Sequence, residues 1–250
     1  DDFVEFKGSK RNEAVQKEIL HQEKMLYSRS NLVIFSSEYL KQKLDTRYYK
    51  KENFLVINNA VELSFDETGN TLPKTILPLF KEGMKNICYI GAVSDWLNFN
   101  LLIKTIEKFK NINFIIVGPS DTEMPRHERL QIHTQIPHSS IMNIMKKADL
   151  LVMPFVVDEL VRSVNPVKVY EYVYSGTPSL IVCYGETAKF GDYVYLYKSE
   201  EEFFGFISRL ISNNLPALVT DEKSIVFANE NTWEKRVRVL KDYLNKHLFN

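Results

Sequence analysis

The sequence predicts an α/β fold, a doubly wound parallel sheet with helices on both of its faces. Its short apolar runs lack the polar alternation of half-exposed strands, which is typical of parallel strands covered on both sides. Between these runs, apolar residues recur every three or four positions, which indicates amphipathic helices. Strand–helix–strand repetition of this kind forms right-handed βαβ units.

The predicted elements follow these two patterns along the chain. Clear strand runs lie at 32–37, 54–58, 86–93, 113–119, 149–155 and 179–183, and weaker ones at 132–136 and 194–197. Helical spacing is found over 99–109, 141–148 and 203–211. Further helices are predicted at 13–27 and 38–44, and a long closing helix carries Trp233, Val237, Leu240 and Leu244.

The regular alternation breaks at residues 64–85, which hold two glycines, two prolines and little periodicity. We interpret this stretch as a linker, followed by a compact domain over 86–230 and a closing helix over 231–250. Residues 1–63 supply only two strands, which are too few for a stable sheet domain. They are therefore predicted to be the C-terminal remnant of a second domain.

Composition and charge exclude several classes of protein. The 250 residues are 44% apolar and 26% charged, with 32 basic and 32 acidic side chains, so no basic field for nucleic acid is expected. No apolar stretch approaches the ~20 residues of a membrane span, and no signal-peptide pattern is present. Cys88 and Cys183 lie inside apolar runs, as reduced core thiols do. A soluble protein of intracellular character is predicted.

Common cofactor and metal motifs are missing from the sequence. It has no G-x-G-x-x-G, no G-x-x-x-x-G-K-[ST] and no G-x-S-x-G. Asp-x-Asp, H-x-x-x-H and C-x-x-C pairs are missing as well, so neither a metal nor a cofactor is expected.

The strongest candidate site follows the strand run at 149–155. Asn165 and Pro166 are predicted to open a helix as N-cap and first residue, which places Lys168 in the first turn. A cation is unfavourable there unless an anion binds to the ammonium and the free backbone N–H groups. Glu171 lies on the same face, where it can accept hydrogen bonds from vicinal sugar hydroxyls. A surface ion pair between Lys168 and Glu171 is the alternative.

A second candidate is the turn of Gly91 and Ala92 at the end of the run 86–93. Ligands of open α/β sheets bind outside the carboxyl ends of the strands, and small residues let the backbone approach a phosphate. The alternative is a tight turn covered by Trp96. The same rule places three further strand ends on one rim, namely Gly118-Pro119, Ile136-Pro137 and the loop with Asp158 and Glu159.

With these residues in place, the sequence resembles bacterial GT-B glycosyltransferases, most closely the retaining family 4. The run NPVKVYEYVYSGTP (165–178) resembles their donor-binding signature. The likeness extends over nearly the whole chain, through the segments 32–44, 54–63, 90–119, 132–155 and 230–237. It implies two Rossmann-like domains, of which this chain holds the C-terminal, donor-binding one.

The resemblance implies a nucleotide diphosphate sugar held between the domains. Lys168 matches the basic residue on the diphosphate, and Glu171 matches the carboxylate on the ribose. Gly91 and Ala92 match the small turn near the phosphates, and Ile136 and Pro137 match the stretch beside the nucleobase. Lys168 is also the expected catalytic residue, because it stabilises charge on the leaving diphosphate.

Two departures from the family pattern stand out. Many members carry a glutamate eight residues before the position of Glu171, where this chain has Ser163. Asp158, Glu159 or Arg162 is then expected to contact the transferred sugar, and we take Glu159 and Arg162 as candidate catalytic residues. Most of the acceptor-binding domain is also missing, which suggests a C-terminal portion of a longer chain.

The expected activity is transfer of a hexose, with retention, to a carbohydrate or lipid-linked hydroxyl acceptor in cell-envelope or exopolysaccharide synthesis. The alternatives are a non-catalytic nucleotide-sugar-binding lobe and a GT-B-fold epimerase that would use His133 or His138. The family implies a cytoplasmic location, with peripheral attachment at the inner membrane face. Helix 13–27 mixes basic and acidic residues, so we interpret it as a solvated face and not as an anchor.

Overall fold

A computed structural model describes residues 2, 4–5, 13–63, 72–134 and 136–247. The strands are β1 (Val33–Phe35), β2 (Phe54–Val56), β3 (Lys85–Ile90), β4 (Ile112–Val117), β5 (Leu130–His133), β6 (Leu150–Met153), β7 (Ser179–Val182) and β8 (Tyr195–Tyr197). Each of the eight predicted runs overlaps one of these strands. Short 3-10 helices lie at Leu77–Leu79 and His138–Ser140.

The helices alternate with the strands along most of the chain. They are α1 (Glu13–Arg29), α2 (Glu38–Arg47), α3 (Phe99–Lys108), α4 (Ile141–Lys147), α5 (Glu159–Ser163), α6 (Val167–Ser175), α7 (Gly185–Ala188), α8 (Glu200–Ile211), α9 (Asp221–Glu230) and α10 (Trp233–His247). None of the described helices is both long enough and apolar enough to cross a membrane.

Six strands form one parallel sheet in the order β5-β4-β3-β6-β7-β8. The chain winds outward from β3 in one direction and then from β6 in the other. The strand order therefore reverses between β3 and β6, where Cys88 is paired with Leu151. This is the doubly wound arrangement, and its switch point is where such sheets bind ligands.

The four central strands are buried from end to end, except for Lys85 at the start of β3. Because helices cover both faces, the inward side chains need no polar alternation, which explains the continuous apolar runs. Cys88 lies inside this core as a free thiol, and desolvation raises its pKa. That thiol is therefore unreactive.

The first two strands form a separate parallel pair. β1 and β2 pack with α1 and α2 around a small cluster of Tyr27, Phe35, Leu40 and Leu44. Ser37 caps α2, and its hydroxyl donates to the backbone carbonyl of Ser163, 2.8 Å away in the larger unit. This small unit is thus hydrogen-bonded to the segment that follows β6.

Several parts of the chain are more ordered than the patterns indicate. Asp158 caps a short helix, α5, where a loop is predicted, because its carboxylate accepts from the N–H of Val161 at 2.9 Å. In the predicted linker, Ile76 is fully buried against the larger core. Residues 64–71 of that linker, residues 248–250 of the closing helix and Gln135 lie outside the described residues, and the proposed domain limits stay a prediction.

Candidate functional site

A cavity of about 320 Å³ opens at the carboxyl ends of β3 and β6. Ala92 and Trp96 line it after β3, Leu160 and Val161 line it from α5, and Lys168 lines it from α6. On the far side Asn59, which follows β2, completes the wall. The cavity thus lies at the switch point of the sheet and has the volume of a small-molecule site.

Lys168 lies directly against the backbone of the turn after β3. A Cβ built on Gly91 would overlap the Cε and Nζ atoms of Lys168, and the φ of Gly91 is +146°, which side chains with a Cβ rarely adopt. Glycine at position 91 therefore makes the space in which the Lys168 side chain lies. The structure brings together Gly91, Ala92 and Lys168, three of the residues predicted from the sequence.

The ammonium group of Lys168 is half-buried and has no hydrogen bond or salt bridge with any of the described residues. Its nearest aromatic neighbour is the Tyr89 ring, whose centroid lies 5.9 Å from Nζ. Desolvation lowers the pKa of Lys168, and the charge of Glu171 opposes that shift. An incoming anion would supply the missing counter-charge.

Glu171 lies one turn further along α6 and is also half-buried. Burial raises the pKa of its carboxyl, against the opposing charges of Lys168 and His138. The two described side chains of Lys168 and Glu171 form no salt bridge, and neither is exposed, so the surface ion pair considered above does not form. Glu171 interacts electrostatically with Lys168 and with His138, which starts the 3-10 helix after Ile136 and Pro137, and it does not line the cavity.

The start of α6 differs from the prediction. Pro166, and not Asn165, occupies the N-cap position, and no side chain caps the helix. The side chain of Asn165 is buried and turned to other partners: its amide oxygen accepts from the N–H of Asn59 at 2.8 Å, and its amide nitrogen donates to Glu186 at 2.9 Å. The first N–H groups of α6 are thus left without a side-chain acceptor at the edge of the cavity.

The structure does not bring Glu159 and Arg162 to the cavity. Both are more than half exposed on α5, and Glu159 accepts a hydrogen bond from the Tyr39 hydroxyl at 2.9 Å and lies 3.4 Å from the ammonium of Lys43. Ser163 is buried and donates to the Leu160 carbonyl at 2.7 Å. Glu159 and the backbone carbonyl of Ser163 connect α5 to α2 and its N-cap, and none of the three residues lines the cavity.

Some lining residues were not predicted from the sequence. Asn59 and Phe155 border the cavity, and Tyr89 forms part of its floor. Asn59 could have been predicted from its position directly after the strand run 54–58, because polar residues there lie at the ligand-binding edge of a parallel sheet. His133 ends β5 and His138 starts a 3-10 helix, and neither lines the cavity.

No family model matches the chain. Over 202 residues it is 23% identical to the Bacillus subtilis (strain 168) protein named "Putative teichuronic acid biosynthesis glycosyltransferase TuaH", and the alignment covers 77% of this chain and 51% of TuaH. The chain therefore spans about half the length of this curated relative.

Solved structures that are similar to this chain include those of HepE and WaaG. The crystal structure of Anabaena HepE in complex with UDP-glucose matches with a TM-score of 0.74 and 14% identity, over 92% of this chain and 68% of HepE. WaaG, a glycosyltransferase involved in lipopolysaccharide biosynthesis, matches with a TM-score of 0.61 and 14% identity, over 84% of this chain and 61% of WaaG. The predicted α/β fold class is confirmed, and the fold is structurally similar to that of GT-B glycosyltransferases.

Proposed function

We propose that this chain is part of a glycosyltransferase that moves a sugar from a nucleotide diphosphate sugar to a hydroxyl acceptor. The observation that supports this most is the uncompensated ammonium of Lys168, which lies against Gly91 at the uncapped start of α6 and borders the switch-point cavity. A diphosphate is the anion that both groups favour together. The likeness to TuaH, HepE and WaaG supports the same class.

In this proposal Lys168 acts on the leaving group. When the bond from the anomeric carbon to the diphosphate breaks, negative charge grows on the diphosphate oxygens. The half-buried ammonium and the free N–H groups of α6 stabilise that charge without reorganising, since both are fixed before the reaction. Their effect is larger than in water, because burial reduces screening.

The resemblance to GT-B glycosyltransferases suggests where the remaining parts of the donor would lie. The ribose would lie at Glu171, and the nucleobase would lie beside Ile136 and Pro137, on the side of β5. Cell-envelope or exopolysaccharide synthesis is the proposed context, with a hexose transferred with retention to a carbohydrate or lipid-linked acceptor. A cytoplasmic site of action at the inner membrane face belongs to the same proposal.

The test is Lys168→Ala in the full-length protein that contains this chain. We expect turnover to fall at least ~100-fold, as when one oxyanion-type donor is lost. Lys108→Ala is the matched control, because that lysine lies on α3 with its ammonium over the Phe204 ring. Normal turnover in Lys168→Ala, measured as nucleotide diphosphate release with acceptor present, would show that the assignment is wrong.

A non-catalytic nucleotide-sugar-binding lobe is the second candidate. One observation favours it: within the described part of the chain, no carboxylate and no histidine lines the cavity to act as acid or base. Calorimetry with uridine and guanosine diphosphate sugars, together with hydrolysis and transfer assays, separates the two functions. Binding without hydrolysis or transfer by the full-length protein would establish the lobe.

A further inference from the structure

We propose that the transferred sugar is a 6-deoxyhexose, whose C6 methyl group occupies the apolar cavity beside Lys168. This inference rests on the proposed function and narrows its substrate class. It follows from the direction in which the donor extends, from the chemistry of the cavity wall and from the hydrogen bonds that its polar side chains already make.

The direction follows from two groups on α6. Glu171 interacts electrostatically with His138, and neither residue lines the cavity, whose wall includes Lys168 and Asn59. With the diphosphate at Lys168 and the ribose at Glu171, the sugar points into the cavity. The cavity is therefore the site of the group that is transferred.

The wall of this cavity is mostly apolar. Its side chains come from the turn after β3, from the segment after β6 and from the start of α6, and they include Trp96, Phe155, Leu160, Val161, Val164 and Val167. A methyl group gains free energy when it leaves water for such a surface. A hydroxyl group gains nothing there unless it finds a hydrogen-bonding partner.

The polar side chains of the wall already have partners. The side-chain amide of Asn59 donates to the carbonyl of Asn165 at 2.6 Å, and the amide of Asn165 donates to Glu186. Tyr89 and Trp96 both donate to the carbonyl of Ala92, at 2.6 Å and 3.3 Å. These donor hydrogens are thus engaged within the protein, so a sugar hydroxyl at this wall finds fewer donors than it has in water, which costs free energy.

Of the carbon atoms of a hexose, C6 is the one whose deoxygenation produces a group that suits an apolar wall. It projects beyond the ring, and its deoxygenation leaves a methyl group, whereas deoxygenation at a ring carbon leaves only hydrogen. An N-acetyl group also carries a methyl, but it brings an amide N–H and a carbonyl that lose hydrogen bonds to water at a mostly apolar wall. The 6-deoxy sugars are therefore the class that the cavity favours.

The experiment uses pairs of donors that differ only at C6, with two different bases. Calorimetry compares UDP-6-deoxy-D-glucose with UDP-D-glucose, and GDP-D-rhamnose with GDP-D-mannose, on the full-length protein. In the pair whose base the protein accepts, we expect the 6-deoxy member to bind about tenfold more tightly, which is the usual discrimination of an apolar pocket. Equal or tighter binding of the hydroxylated member overturns the inference.

Two valine variants test whether the preference for the 6-deoxy donor arises at the cavity wall. Val164→Thr adds a hydroxyl to the cavity wall and should remove most of the preference for the 6-deoxy donor, while Val156→Thr, on an exposed residue outside the wall, should leave it unchanged. Retained affinity for UDP or GDP shows that each variant is folded. If neither diphosphate binds to the unmodified protein, the proposed function itself fails; if one binds and the preference at C6 is missing, only the present inference fails.

Discussion

At the scale of single residues, Gly91 and Lys168 depend on each other although 77 positions separate them along the chain. The glycine allows a backbone conformation and a space that the lysine side chain then fills. The sequence alone indicated both residues, the first from a small-residue turn after a strand and the second from a cation in the first turn of a helix. The sequence did not indicate that the two residues are in contact, because that contact depends on the fold.

Burial of the Glu171 carboxylate costs free energy, which the charges of Lys168 and His138 offset only in part. Burial raises the pKa of its carboxyl, so the folded protein binds more protons than the unfolded chain. The resulting stability is fully present below the ordinary pKa of 4.5 and is lost as the pH rises through the folded-state pKa. The ionised carboxylate therefore destabilises the unliganded protein at neutral pH.

Glu171→Gln should remove this loss of stability at rising pH. We expect the variant to lose less free energy of unfolding between pH 4 and pH 7 than the unmodified protein, in urea titrations without ligand. Its affinity for the donor should fall about tenfold, because one charge-assisted hydrogen bond to the ribose is lost. Glu128→Gln, on an exposed residue, is the control for both measurements.

A different outcome would count against the role given to Glu171. If Glu171→Gln follows the same pH dependence as the unmodified protein, burial does not penalise this carboxylate. If donor affinity is unchanged as well, Glu171 does not contact the ribose.

At the scale of elements, a buried amide holds the start of α6 in place. Asn165 bonds the backbone N–H of Asn59, the Tyr170 hydroxyl and the carboxylate of Glu186. Glu186 also forms a salt bridge with Lys189, at 2.8 Å, and Lys189 donates to the side chain of Asn58. This network connects the segment after β2 to both α6 and α7.

Asn165→Ala should therefore destabilise the protein and weaken donor binding together. The change leaves the N–H of Asn59 and one acceptor of Glu186 unpaired, at about 1–3 kcal/mol for each buried group. We expect the free energy of unfolding to fall by about 3 kcal/mol in chemical denaturation. Asn100→Ala, on the exposed side of α3, should change it by less than about 0.5 kcal/mol. Similar free energies of unfolding for the two variants would show that the hydrogen bonds of Asn165 do not stabilise the fold.

The elements themselves were predictable where a pattern was long or strong. The central strands are buried on both faces, so their apolar runs identified them, and α3 and α8 have well-separated apolar faces. Short helices were not predicted: α5 has five residues and α7 four, too few for a period to appear. The N-cap of α6 was wrong by one residue because the side chain of Asn165 has tertiary partners.

At the scale of the whole molecule, the sequence predicted two parts of the cavity wall, the turn after β3 and the start of α6, whereas the other predicted strand ends do not line the cavity. Gly91 and Ala92 were predicted because ligands bind at the carboxyl ends of parallel strands, and Lys168 was predicted because a cation lies in the first turn of a helix. The part supplied by Asn59 depends on how the β1–β2 pair contacts the larger sheet, through hydrogen bonds between Asn59 and Asn165, which are 106 positions apart. No local pattern encodes such a contact.

Helix α10 also stabilises the position of the segment after β2 that carries Asn59. Arg236 of α10 donates to the carbonyls of Asn58 and Asn59, at 3.1 and 3.2 Å, and to the side chain of Asn231 at 2.7 Å. Val61 forms a parallel bridge with Thr232 beside it. The start of α10 and the segment after β2 therefore form one unit.

Arg236→Ala should weaken the contact between α10 and the segment after β2, and it changes no residue that lines the cavity. We expect the free energy of unfolding to fall by about 2 kcal/mol, because hydrogen bonds to a charged donor are lost and two partly buried carbonyls lose their partner. Amide hydrogen exchange should accelerate over residues 57–61 more than in β3 or β4, since the change is local. Arg238→Ala is the matched control, because that arginine is exposed on the same helix. If the two variants show the same stability and the same exchange pattern, Arg236 does not hold the segment that carries Asn59, and the wall of the cavity is fixed by Asn165 alone.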